Sequence, residues 1–178
     1  NGEAELSKTL KVEKDPNTLG TVDEIRQQTA VALKIRGAIS EVGSLVNDME
    51  WIRKQIDDVQ QIANEVANPL ANQLQTYDST VVAVEQRLFQ LTLSGTFADD
   101  LRGPTMLYSK LMNLAYQVQE GDYKPTDQQV EVLGLHMIEL EDIKADYKNI
   151  VKPSLAELNI KLSAGNLPNI VIPVLKED

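Results

Sequence analysis

The sequence predicts an all-α fold: an up-down-up-down helical bundle of two long and two shorter helices, with a short N-terminal β-strand arm and an extended C-terminal tail. Three observations carry this. Apolar residues recur at steps of three and four over most of the chain, the seam period of packed helices. Stop and start signals divide that pattern at Asn68-Pro69, Ser94-Gly95, Gly121 and Pro125-Thr126. The 178 residues are 42% hydrophobic and 25% charged, enough apolar material for one real core.

The first nineteen residues stand apart. Leu6, Leu10 and Val12 alternate with Ser7, Thr9 and Lys11, the period of a half-buried strand. Asp15-Pro16 ends it, because proline lacks a donor and biases its predecessor to extended geometry. Residues 1–19 are therefore expected to be a linker strand or the end of a preceding β-sandwich, because one strand alone needs a sheet.

Residues 20–166 form the predicted bundle. Thr21 and Glu24 fit a capping box that opens the first long helix. Its stripe runs through Val22, Ile25, Thr29, Ala32, Ile35, Ile39, Val42, Val46, Met49, Ile52, Ile56, Val59, Ala63 and Val66. Gly37 and Gly43 interrupt it and are read as points of close helix packing. Asn68-Pro69 breaks and restarts the chain, with Asn68 expected as cap and Pro69 at the first helical position. The second helix then carries Leu70, Leu74, Tyr77, Val81, Val84, Leu88 and Leu91 and is expected to end near Leu93. A loop over 94–104 leads to a third helix with Leu107, Leu111, Leu114 and Val118 inward.

Thr126 caps the fourth helix, whose stripe is Val130, Leu133, Met137, Leu140, Ile143 or Lys144, Tyr147, Val151, Leu155, Leu158 and Leu162. Pro153 lies inside that stripe and predicts a kink or short break near Ile150. Gly165 stops the helix. Short connections imply antiparallel neighbours. Both termini are then expected at one end of the bundle, with the apolar tail 167–178 packing near the N-terminal arm.

Composition excludes several classes of function. Seventeen basic against 27 acidic residues leave a charge of −10, which argues against nucleic acid and anionic membranes. No apolar run of 18 residues exists, so no membrane span is predicted. Without cysteine there is no thiol nucleophile, disulfide or cysteine metal site. His136 is the sole histidine. With Glu139 it reads His-x-x-Glu, the reverse of the Glu-x-x-His pairs a di-metal bundle needs twice over. It is read as a surface or seam-edge residue next to Met137, and no catalytic, cofactor-binding or metal residue is assigned. Glu139, Glu141, Asp142 and Asp146 alternate with Lys144 and Lys148, which reads as a solvated face with i,i+4 pairs. Trp51 is read as a seam-flanking core residue rather than a carbohydrate platform or interface anchor. Tyr108, Tyr116 and Tyr123 are read as ordinary packing.

The order of some segments resembles a known family. Leu10-Lys11-Val12-Glu13-Lys14-Asp15-Pro16-Asn17 leads into a long helix with Gln27, Leu33 and Arg36. Pro125-Thr126-Asp127-Gln128-Gln129 opens the last helix, and Leu158-Asn159-Ile160-Lys161-Leu162 with Gly165 closes it. This resembles the C-terminal helical region of large bacterial sortilin-like or BNR-repeat β-propeller proteins, often labelled glycosyl hydrolase or exo-sialidase-like. The resemblance implies an exported parent, periplasmic, cell-surface or secreted, with propeller and sandwich domains before this one. The Ser-x-Asp-x-Gly-x-x-Trp box of those propellers is missing, since Trp51 follows Asn47-Asp48-Met49-Glu50. No hydrolase residue is carried over. The expectation is a non-catalytic accessory or interaction domain without a cofactor. Its partners would be the preceding domains, another protein or a second copy of itself. The alternative is an oligomerisation or ligand-sensing module.

Overall fold

The computed structural model describes residues 7–91 and 103–172, and every regular element in them is helical. Helix α1 spans Val22–Glu65, α2 Ala71–Leu88 and α3 Leu107–Gln119. Helix α4, Asp127–Asp146, continues through a π turn at Tyr147–Val151 into α5, Lys152–Ala164.

The Thr21 and Thr126 caps form, whereas Asn68 does not cap α2, which begins at Ala71 after Leu70. Thr21 Oγ1 accepts from the Glu24 amide at 3.2 Å, while the Glu24 carboxylate accepts from the Thr21 amide at 2.7 Å. Thr126 and Gln129 repeat the arrangement at 3.1 and 2.9 Å. Helix α2 ends at Leu88, short of the expected Leu93, with Phe89 already extended. Helices α1 and α5 both close with a left-handed residue, Ala67 (φ 52°) and Asn166 (φ 56°). In each case the next amide reaches back to the last turn, Asn68 to the Ala63 carbonyl and Leu167 to that of Leu162. Gly165 thus stands one place before the residue that turns the chain.

The π turn sits one residue before the Lys152-Pro153 step, where the sequence places a break. It also solves a phase problem. Ile143, Tyr147, Val151 and Leu155 are all buried at consecutive steps of four. In a regular α-helix three such steps would drift by about 120°. The wider π turn takes up part of that drift and returns α5 to the core.

The helix directions follow from side-chain bonds between elements. Arg53 reaches Asp78 and Glu85, and Gln60 reaches Gln75, so α2 runs antiparallel to α1. Lys144 pairs with Glu41 and Tyr147 with Asp48, so α4 runs parallel to α1. A short turn joins α3 to α4, and Lys110 pairs with Glu139, so α3 runs antiparallel to α4 and therefore to α1. Helices α2 and α3 thus point the same way, one after the other along α1. This replaces the expected up-down-up-down order. The reason is length: the buried stripe of α1 from Ile35 to Ala63 is about 42 Å long, whereas α2 and α3 are about 27 and 20 Å. Only in tandem do the two short helices cover it.

That order separates the two ends of the described chain. Residues 7–15 carry no strand, and Leu6 lies outside the described residues. Asp15 instead forms a turn, its Oδ1 accepting from the Asn17 amide at 2.8 Å. At the other end of α1, the described part of the tail folds back beside α5. Asn159 bonds both the amide and the carbonyl of Ile170 at 2.8 Å, and Gln55 does the same to Val171 at 2.9 and 2.7 Å. Residues 167–172 therefore do not reach the N-terminal arm, and the strand expected at 6–12 has no extended partner beside it among the described residues. The tail beyond residue 172 is outside the described residues.

One core runs the length of the molecule, from Ile35, Val42 and Met49 through Leu74, Leu88 and Leu111 to Leu140, Leu155 and Leu162. Each such side chain contributes roughly 1.5–3 kcal/mol by leaving water.

Candidate functional site

The feature that asks for a function is the apolar surface at the α3 end of the molecule. There α1, α3 and α4 each turn apolar side chains outward as well as inward. Leu33 on α1, Met112 and Tyr116 on α3, and Leu135 and Ile138 on α4 are all exposed, Tyr116 at 72%. The Val12 side chain of the arm, 94% exposed, lies beside Leu33. Leu33, Met112 and Tyr116 flank one groove between α1 and α3, and apolar exposure gathered in this way marks an interaction surface, whereas Leu135 and Ile138 lie on the outer side of α4.

Helical phase explains it. With Leu133, Leu140 and Ile143 buried, Leu135 and Ile138 point to the opposite side of α4. The same holds for Leu33 against Ile35 and Val42 on α1. The seam reading fixed on the inward stripe and passed over these second stripes, whose signal is apolar residues two positions off the seam.

Between α1 and α3 the surface dips into a groove of about 800 Å³, walled by Ala32, Leu33 and Ile39 on one side and Met112, Ala115 and Tyr116 on the other. Arg36 and Asp122 also line it. The Gln28 amide donates to the Val118 and Gly121 carbonyls and fixes the two helices in register. A second apolar hollow lies under the arm, where Val12 faces Val22, Ile25 and Leu33.

The residues singled out in the sequence are scattered rather than assembled. His136 is mostly buried beside Glu139 at 3.9 Å, and Glu139 is taken by Lys110 at 3.0 Å. Burial pushes the imidazole below its ordinary range, with Glu139 opposing and Lys110 assisting. The acidic run is not a face of i,i+4 pairs. Asp146 binds Arg87 of α2, Glu139 binds Lys110 of α3, and Lys144 joins Glu41 of α1 to its own neighbour Glu141. Three of these pairs tie separate helices together. Trp51 is not a seam-flanking core residue: it is 45% exposed, with the Lys54 ammonium 5.7 Å from its ring centre. Tyr108 does pack, against Phe89 at 5.5 Å, whereas Tyr116 and Tyr123 face solvent. Gly37 and Gly43 are not close-packing points, because a Cβ at either would meet nothing within 4 Å.

The one fully buried charged side chain among the described residues is Glu85, between α1 and α2. Arg53 donates to its Oε2 at 2.9 Å and to Asp78 at 3.3 Å, while Oε1 has no partner. Burial pushes the carboxyl upward, against the pull of Arg53. Among the described residues no group of three or more His, Asp or Glu is placed to hold a metal ion, and no helix is long and apolar enough to cross a membrane. Comparison with known proteins gave no matching family model, no similar curated protein and no similar solved structure.

Proposed function

We propose that this chain is a non-catalytic helical interaction module, an accessory domain that docks other protein surfaces. The observation that supports this reading most is the apolar groove between α1 and α3, with the hollow under the arm beside it. A protein partner of mixed apolar and polar character is the occupant such a surface suits, since it exposes more than the scattered residues of an ordinary exterior.

Within this reading the arm at residues 7–12 supplies a strand to a sheet of the preceding domain, its unpaired backbone bonds completed there. The resemblance to the C-terminal regions of bacterial sortilin-like or BNR-repeat propeller proteins suggests a sandwich as that domain and an exported parent. Turnover assays of the purified chain on glycoside and peptide substrates test the non-catalytic reading, and turnover by this chain overturns it. The coding sequence upstream of Asn1 tests the parent: propeller repeats are expected there.

A further inference from the structure

The groove between α1 and α3 carries an opposite charge at each end and small residues at its middle. Through Gln28, which bonds the carbonyls of Val118 and Gly121, Asp122 sits level with the Gln28 turn of α1. Arg36 lies eight residues further on, roughly 12 Å along the groove. Midway between them are Ala32, four residues after Gln28, and Ala115, three residues before Val118. They make a shallow floor, and Leu33 and Tyr116 rise beside it, 49% and 72% exposed. Neither the Arg36 nor the Asp122 side chain has an ion pair or hydrogen bond among the described residues.

We propose that this groove is a self-association surface, occupied by the same groove of a second copy across a twofold axis at Ala32. An isologous contact requires a patch that complements itself. Here the axis sets each Arg36 opposite the second copy's Asp122 and seats each Tyr116 over the alanine floor facing it. A foreign helix would have to bring matching charges at the same separation, whereas a second copy carries them at that separation by construction. The proposal rests on the reading of this end as a protein-docking surface and names its occupant.

Sedimentation equilibrium across the micromolar range tests it. The unmodified chain is expected to dimerise reversibly. Arg36→Asp and Asp122→Arg should each weaken the dimer by at least about tenfold, because each sets like charges together twice. An equimolar mixture of these two variants should regain the dimer, since both cross-pairs then match. Tyr116→Asp, at an exposed site, should abolish it, and circular dichroism with thermal melting shows whether each variant keeps its fold. A chain that stays monomeric, a dimer indifferent to these substitutions, or folded variants whose mixture fails to recover overturns the proposal. If the chain is monomeric while Leu33→Asp and Tyr116→Asp abolish binding to a neighbouring domain of its parent, the interaction reading stands and self-association falls.

Discussion

The phenol of Tyr77 on α2 donates a 3.0 Å hydrogen bond to the main-chain carbonyl of Val151, the last residue of the π turn. Tyr147, the first residue of that turn, donates to Asp48 of α1 at 2.8 Å. The turn is thus fastened at both ends to different helices, and both phenols are pushed well above their ordinary range, chiefly by burial. Tyr77→Phe leaves a carbonyl without this donor and is expected to cost about 1–2 kcal/mol in urea denaturation. Hydrogen exchange should accelerate first at residues 147–155. A uniform increase along the whole chain would count against a local role.

Glu85 is fully buried while its partner Arg53 is one-third exposed, so the pair joins a sealed charge to a partly solvated one. Arg53→Met strands the Glu85 charge and is expected to destabilise the fold by roughly 3 kcal/mol or more. Arg53→Met combined with Glu85→Met should recover most of that loss. Additive losses in the double-mutant cycle would contradict the pairing.

The same carboxylate sets a pH dependence. Glu85 lies above its ordinary value of 4.5 because burial disfavours its charge. Its favourable contribution is complete below the ordinary carboxylate range and is lost as pH rises through the raised value. Glu85→Gln should therefore gain stability relative to the unmodified chain as pH is taken from 4 to 7. A constant gap between the two unfolding curves would exclude the effect.

Backbone positions should respond in opposite directions. Gly37→Ala and Gly43→Ala add a methyl into open space on α1 and should each stabilise by about 0.5–1 kcal/mol. Ala67→Gly relieves a left-handed alanine (φ 52°) at the end of α1 and should stabilise by a similar amount, about 1 kcal/mol. Gly20→Ala would set a Cβ 1.6 Å from the Asp122 carbonyl oxygen and should destabilise the joint between arm and bundle. Thermal melting of the four variants gives the signs directly.

The tail is held mainly by two amides. Asn159→Ala removes both bonds to Ile170, whose side chain is buried. Limited proteolysis should then cut near Leu167 while the helical core resists. Unchanged resistance would mean that burial of Ile170 alone holds the segment.

The inward stripes were legible in the sequence because a helix repeats its own face every few residues. Leu74, Tyr77, Val81, Val84 and Leu88 are all buried as spaced. The direction of α3 was not, since nothing in the seam of Leu107, Leu111, Leu114 and Val118 distinguishes its two senses along α1. The extent of α1 that needed covering decided it. Trp51 was misread for a related reason: adjacency in sequence to Met49 and Ile52 does not mean a shared face, because neighbours on a helix diverge by about 100°. The outward apolar residues were hidden among the inward ones, since Leu33, Leu135 and Ile138 look like core until their phase against Ile35 and Leu133 is drawn.

The chain passes Gly20 beside the α3–α4 turn and passes Val171 beside Gln55, points about 50 Å apart along α1. Had the helices alternated, both would lie together and a pull between them would not run along the helices. As it stands, tension applied between these two points runs along the helix axes. It loads the seams in shear, many side chains at once, instead of peeling one helix away turn by turn. The tandem placement of α2 and α3 thus sets these two points in line with the helix axes.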